Sequence, residues 1–147
     1  MIKYSLIVLM MTVLFSACNE NDYADWKILN EAWLEKHKND AGFIQTESGL
    51  CYKIIHEGDI RYPNPGSYVE VQYSLELIDG KVLESGTYAR YLSGAIQGWQ
   101  EGLRKIKGGG RCILYVPANL GYGADGTTGI PPHSVLIFDV TLVRSID

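Results

Sequence analysis

Few side chains in this sequence are placed for chemistry of the usual kinds. Its three His and three Cys show no C-x-x-C or H-x-x-x-H spacing, so a structural zinc site has no framework. Gly108-Gly109-Gly110 leads into a strand-like run and lacks the G-x-x-x-x-G-K-[ST] order of a phosphate-cradling loop. No G-x-S-x-G marks a nucleophilic serine. Asp79 and Glu84 could pair as carboxylates, but Asp79 precedes Gly80, where a hairpin turn claims it. What remains is a set of aromatic and aliphatic residues at strand ends and in a Gly-rich loop: Tyr73, Tyr88, Tyr91, Trp99, Tyr122, Ile130 and Phe138. An aromatic-lined hollow with few polar groups suits a small apolar guest such as a proline ring.

The elements that must position these residues follow from periodicity. Val69, Val71, Tyr73, Leu75 and Leu77 alternate with Glu70, Gln72, Ser74 and Glu76, the pattern of a strand with one buried face. Asp79-Gly80 turns that strand back into Lys81-Val82-Leu83-Glu84. Leu50, Tyr52 and Ile54 set the inward face of an earlier strand, leaving Cys51 outward. Cys112, Leu114 and Val116 set the inward face of a later one, so Cys51 and Cys112 are not expected to form a disulfide. Residues 98–106 predict a short helix with Trp99, Leu103 and Ile106 on one face, ended by the three glycines. Residues 117–133 form a long Gly-rich loop, and 134–143 a closing strand that is apolar on both faces and therefore central. About five antiparallel strands and one short crossing helix make an α+β half-barrel, with no internal repeat. Before them, residues 25–38 predict an amphipathic helix with Trp26, Leu29 and Trp33 inward, Asp22 or Asp25 as cap and 39–42 as stop; docking on its own domain is the first expectation and a partner or dimer surface the alternative.

The chain has 147 residues, enough for one domain with an appendage. Its 13 Lys+Arg against 17 Asp+Glu, net −4, argue against nucleic acid as a partner. Lys3, an apolar run from Leu6 to Phe15 and small Ser16 and Ala17 read as a secretory signal over residues 1–17. The run falls short of the roughly 20 residues a membrane span needs. Leu14-Phe15-Ser16-Ala17-Cys18 resembles the lipobox of bacterial lipoproteins, with Phe15 where Leu, Val or Ile is commoner. That resemblance implies a lipidated Cys18, a polar tether at 19–24 and attachment to a membrane face of the bacterial envelope, periplasmic or outer. The sequence thus divides into a signal at 1–17, a lipidated Cys with tether and helix at 18–45, and the main domain at 46–147.

Over residues 48–144 the chain resembles the FKBP-type, macrolide-binding peptidyl-prolyl cis/trans isomerases. The matching runs are Val71–Ser74, Asp79–Ser85, Ala95–Leu103, Val116–Pro117 through Leu120–Gly123, and Ile130–Val140, in family order. The resemblance implies an FKBP-like five-stranded half-barrel wrapped around one short helix. It also implies a proline pocket with Trp99 as floor, Tyr73 and Phe138 as walls, and Ala95 and Ile96 beside the helix. Ile130 comes from the Gly-rich loop and Tyr88 stands in for a pocket Phe. Tyr122 offers its hydroxyl to a substrate carbonyl, and the Ile96 N–H is a second donor. Leu83 and Glu84 stand where well-studied members carry Phe and Asp, and Ala95 where they carry Val. The family Asp is held by the residue here numbered Tyr73.

The implied reaction is rotation about X-Pro bonds during folding of envelope proteins, with no cofactor and no metal. Tyr122, Tyr73 and Glu84 act on the amide. Trp99, Phe138, Ile96, Ala95, Ile130, Leu83 and Tyr88 bind the proline. Implied partners are proline-containing polypeptides and macrolide inhibitors. Leu83 and Glu84 keep an alternative open, a non-catalytic proline-binding chaperone or scaffold on the same fold. A sugar- or peptidoglycan-binding role has no motif of its own. Client proteins, membrane leaflet and oligomeric state stay open.

Overall fold

The computed structural model describes residues 20–147, with side chains from Tyr23 onward. The expected signal at 1–17 and Cys18 lie outside the described residues. The first element is helix α1, Glu20–His37. Its 18 residues contain no Gly or Pro, and Lys27–Glu31 and Glu35–Lys38 pair along its surface. Residues 20–24, expected as a tether, are its first turns, so neither Asp22 nor Asp25 stands outside the helix as a cap. It stops where the sequence places the stop, with Gly42 at φ 78°.

The inward face of α1 also differs from expectation. Leu29 is 57% exposed, while Asn30 is 1% exposed and Trp26, Trp33, Leu34 and His37 are half-buried. Hydropathy assigns an asparagine to the outside, so the line Trp26–Leu29–Trp33 looked inward. The real line follows a buried amide. α1 docks on its own domain, as expected, with Trp33 5.7 Å from the Tyr115 ring and Trp26 and Asn30 bonded to Ser134 and Val135.

The described residues form one six-stranded sheet in which every pairing is antiparallel. Its strands are β1 (Ile44–Gln45), β2 (Cys51–His56), β3 (Tyr68–Glu76), β4 (Val82–Tyr91), β5 (Arg111–Val116) and β6 (Leu136–Ile146). The order β1-β2-β5-β6-β3-β4 places β6 centrally. Its Leu136, Phe138, Val140 and Leu142 enter the core, while Val135, just before it, and Ile137 are buried on the opposite side, at the α1 end of the sheet. That explains why this strand is apolar on both faces. The two-residue β1 is the one strand not foreseen.

The β3–β4 turn forms at Asp79-Gly80. Gly80 has φ 81°, and the Asp79 carboxylate accepts from the Lys81 N–H at 2.9 Å, so Asp79 is a turn residue. The concave face of the sheet closes over α2 (Gln97–Gly102) and the 3₁₀ turn Leu103–Lys105 that continues it. Trp99, Leu103 and Ile106 are buried together, as their spacing requires. Gly98 and Gly102 let the helix lie flush on β5. A Cβ at Gly98 would come within 2.5 Å of Val116, and one at Gly102 within 2.6 Å of Leu114. Cys51 and Cys112 are both free, as expected. Cys51 pairs in register with Tyr115, whose ring lies against Trp33 of α1, and its thiol is fully buried.

Candidate active site

Three strands, the short helix α2, the turn before it and one loop meet at a cavity of about 150 Å³ on the concave side. Trp99, in the first turns of α2, is its floor and is 4% exposed. Three rings stand edge-on or tilted to the indole: Tyr73 of β3 at 5.2 Å, Phe138 of β6 at 5.2 Å and Tyr88 of β4 at 5.4 Å. Edge-to-face packing at such distances adds about 0.5–1.5 kcal/mol per pair beyond burial. The box is therefore already formed by its own ring contacts. Gly94, Ala95, Ile96, Glu84 and Tyr122 complete the lining. Larger hollows exist elsewhere, one of about 320 Å³ beside α1 without Phe, Tyr or Trp and one of about 310 Å³ bordered by Trp33, Phe43 and Tyr115 on the α1 side of the sheet.

The polar groups are few and directed. The Tyr73 hydroxyl donates to Glu84 Oε1 at 3.1 Å, so the longer carboxylate still reaches the phenol. Burial first, then the bond to Glu84, pushes the Tyr73 phenol above its ordinary value, so it stays a neutral donor. Burial likewise raises Tyr88, whose hydroxyl donates to the Tyr91 carbonyl at 3.1 Å. Ile96 caps α2 with extended backbone, and its carbonyl accepts from Trp99 and Gln100. Its own N–H donates to no acceptor among the described residues. The Trp99 indole N–H is buried without an acceptor as well.

Of the residues singled out in the sequence, eight line this cavity: Tyr73, Glu84, Tyr88, Ala95, Ile96, Trp99, Tyr122 and Phe138. Leu83 and Ile130 do not. They line an adjoining groove with Leu75, Lys81, Val82 and Thr127–Gly129, and Glu84 and Tyr122 border both spaces. The reason lies in β4. Leu75 pairs with Glu84 but Glu76 pairs with Val82, so Leu83 is the extra residue of a β-bulge. A bulge re-aims side chains beside it, which lets the consecutive Leu83 and Glu84 border the same groove. Gln100 was not foreseen. Its amide donates to the carbonyls of Ser93 and Ala95 at 3.3 and 2.7 Å and fixes the turn that presents Ala95 and Ile96. Its place one residue after Trp99 was the available signal.

Residues 60–143 match the family model described as FKBP-type peptidyl-prolyl cis-trans isomerase. The chain belongs to that family. FKBP-type relatives align beyond the matched segment. The isomerase FkpA of Escherichia coli is 38% identical over 130 residues, 84% of this chain and 48% of its own length. The isomerase Mip of Coxiella burnetii is 38% identical over 120 residues, 78% of this chain and 52% of its own. The chain thus spans about half the length of the curated relatives it matches. The crystal structure of E. coli FkpA superposes with a TM-score of 0.82 at 37% identity, over 86% of this chain and 62% of that one. The FKBP fold of the domain, a sheet closed on one short helix, is the one the sequence implied. Among the described residues no helix is long and apolar enough to cross a membrane, and no cluster of His, Cys, Asp and Glu is grouped to hold a metal.

Proposed function

We propose that the chain accelerates cis/trans rotation about X-Pro bonds, with the proline ring seated on Trp99. One observation carries the reading: an aromatic box of Trp99, Tyr73, Tyr88 and Phe138 around a cavity small enough for a single side chain and open beside Tyr122 and Glu84. The X-Pro bond is the peptide bond with nearly balanced isomers, within about 0.5–1 kcal/mol. Its rotation faces a barrier of about 18–20 kcal/mol because twisting breaks amide resonance. A catalyst need only bind the twisted amide better than the planar one. The twisted form has lost the charge separation of resonance, so a dry apolar wall penalises it less than the planar form. Tyr122 and the free Ile96 N–H hold carbonyls on either side while the prolyl half turns. Tyr73 and Glu84 hold one another and keep the wall in place. Leu83 and Ile130 contact the chain flanking the proline from the adjoining groove.

The work is assigned to the bacterial envelope. What supports this is the apolar run and Leu14–Cys18 ahead of the domain, read as a signal and a lipid-attachment cysteine. Expression of the whole chain with a labelled fatty acid tests it: label on the wild type and none on Cys18→Ser is expected, and an unlabelled wild type rejects the anchor. The isomerase reading is tested with a cis-to-trans prolyl peptide assay. Acceleration inhibited by a macrolide is expected. Acceleration without inhibition would confine the effect of Leu83 and Glu84 to drug binding. A folded chain without acceleration would turn the reading to a proline-binding chaperone.

A further inference from the structure

Tyr122 and Ile130 sit in the loop 117–135 between β5 and β6, and this loop is fastened from outside the barrel. Its base, Ser134 and Val135, is 3% exposed at both residues. Two α1 side chains one turn apart reach that base. The Trp26 indole N–H donates to Ser134 Oγ at 2.9 Å. Asn30 Oδ1 accepts from the Val135 N–H at 2.7 Å, and the Asn30 amide donates to the Trp26 carbonyl at 2.7 Å, which fixes the way the amide faces. From the base, two bonds run out along the loop. Ser134 Oγ donates to the Pro131 carbonyl at 2.7 Å, beside Ile130. The His133 N–H donates to the Gly123 carbonyl at 2.9 Å, beside Tyr122. His133 has φ 62°, the one non-glycine residue with positive φ among those described, and such a conformation persists only where its surroundings fix it.

The loop's other bonds near Tyr122 are internal to it: the Gly123 N–H donates to the Ala118 carbonyl at 2.7 Å and the Gly126 N–H to the Tyr122 carbonyl at 3.1 Å, and neither ties the loop to α1 or the sheet. Gly123, Gly126 and Gly129 all have positive φ, and the Tyr122 side chain is 41% exposed. A donor that must meet a substrate carbonyl loses its advantage when its backbone wanders. We propose that Trp26 and Asn30 are positioning residues for the isomerase reaction, holding Tyr122 at the cavity through the base of its loop. The kinetic part rests on the isomerase reading above; the anchoring part does not.

The test uses the whole chain and two readouts. One is amide hydrogen exchange across 118–133. The other is kcat/KM on a prolyl peptide, measured with Tyr122 and with Tyr122→Phe. Asn30→Ala is expected to speed loop exchange by about tenfold while β3 and β5 keep their protection. It is expected to lower kcat/KM roughly three- to tenfold, and by less than about twofold once Tyr122 is already Phe. Unchanged loop exchange, or the same fractional loss in both backgrounds, overturns the proposal. Trp26→Phe removes one N–H and keeps a ring; should Asn30→Ala fail to fold, it carries the same readouts with changes of about two- to threefold. A wild type without turnover overturns the isomerase reading and the kinetic role together, and the exchange data tell that apart from a failure of the anchor.

Discussion

At the scale of single residues the site divides into groups that shape and groups that hold. Trp99 shapes. Its indole touches three rings, so Trp99→Leu, which stays apolar but removes the floor and leaves a cavity, is expected to lower kcat/KM by tenfold or more through KM, with a competitive-ligand titration as the check. On the proposed reading Tyr122 donates to a substrate carbonyl; losing such a bond is worth roughly 0.5–1.5 kcal/mol, so Tyr122→Phe is expected to lower kcat/KM about three- to tenfold. The raised Tyr73 and Tyr88 phenols stay protonated from pH 6 to 9, so neither introduces an inflection in the rate profile there. Cys112 contributes to the loss of stability at alkaline pH. Burial pushes its thiol from 9.0 up to about 12. The unfolded chain then loses this proton near pH 9 and the folded chain keeps it, so stability present below pH 9 drains away as pH rises toward 12. Denaturant midpoints are expected to fall across that window by the equivalent of a few kcal/mol, at about 1.4 kcal/mol per pH unit, and Cys112→Val should flatten the fall.

Between elements, close approach matters more than area. α2 lies on β5 through two glycines a helical turn apart, and Gly102→Ala would drive a methyl against Leu114 at 2.6 Å. Overpacking of this kind typically destabilises by about 1–3 kcal/mol, which thermal unfolding would register, and the shift would tilt the Trp99 floor. This scale is also where the sequence was easiest and hardest to read. The β3–β4 hairpin was visible because Asp79-Gly80 sits between alternating runs, and α2 because Trp99, Leu103 and Ile106 keep helical spacing. The bulge at Leu83 was not, because an extra residue in a strand leaves no mark on hydropathy. Leu83 lines the groove beside the cavity. The direction of Ile130, toward the adjoining groove, was hidden for a related reason: a Gly-rich loop has no period from which to read direction. The orientation of α1 failed because a buried asparagine sets it. Asn30→Leu would keep the volume but strand the Val135 N–H, a loss of about 1–3 kcal/mol measurable by denaturation.

The whole molecule is a sheet covered on its concave side by α2 and on part of its outer side by α1. Early and late parts of the described chain meet in that second layer. Trp26 and Asn30 bond residues more than a hundred positions later, with sequence separations of 108 and 105. β6, which joins β5 to β3, is the last strand. Until it arrives, β3–β4 is a hairpin and β1–β2–β5 a separate ribbon, with no contiguous core between them. On a ribosome, then, the domain has to wait. Non-local pairing of this order is slow to form and exposes strand edges meanwhile. Stalled chains ending before residue 134 should show protease-sensitive α1 and protection no wider than the β3–β4 hairpin and the β1–β2–β5 ribbon. Full protection before β6 emerges would contradict this order. An enzyme read here as hastening the folding of other chains would thus be assembled from its last-made strand backwards, and would be least able to help itself.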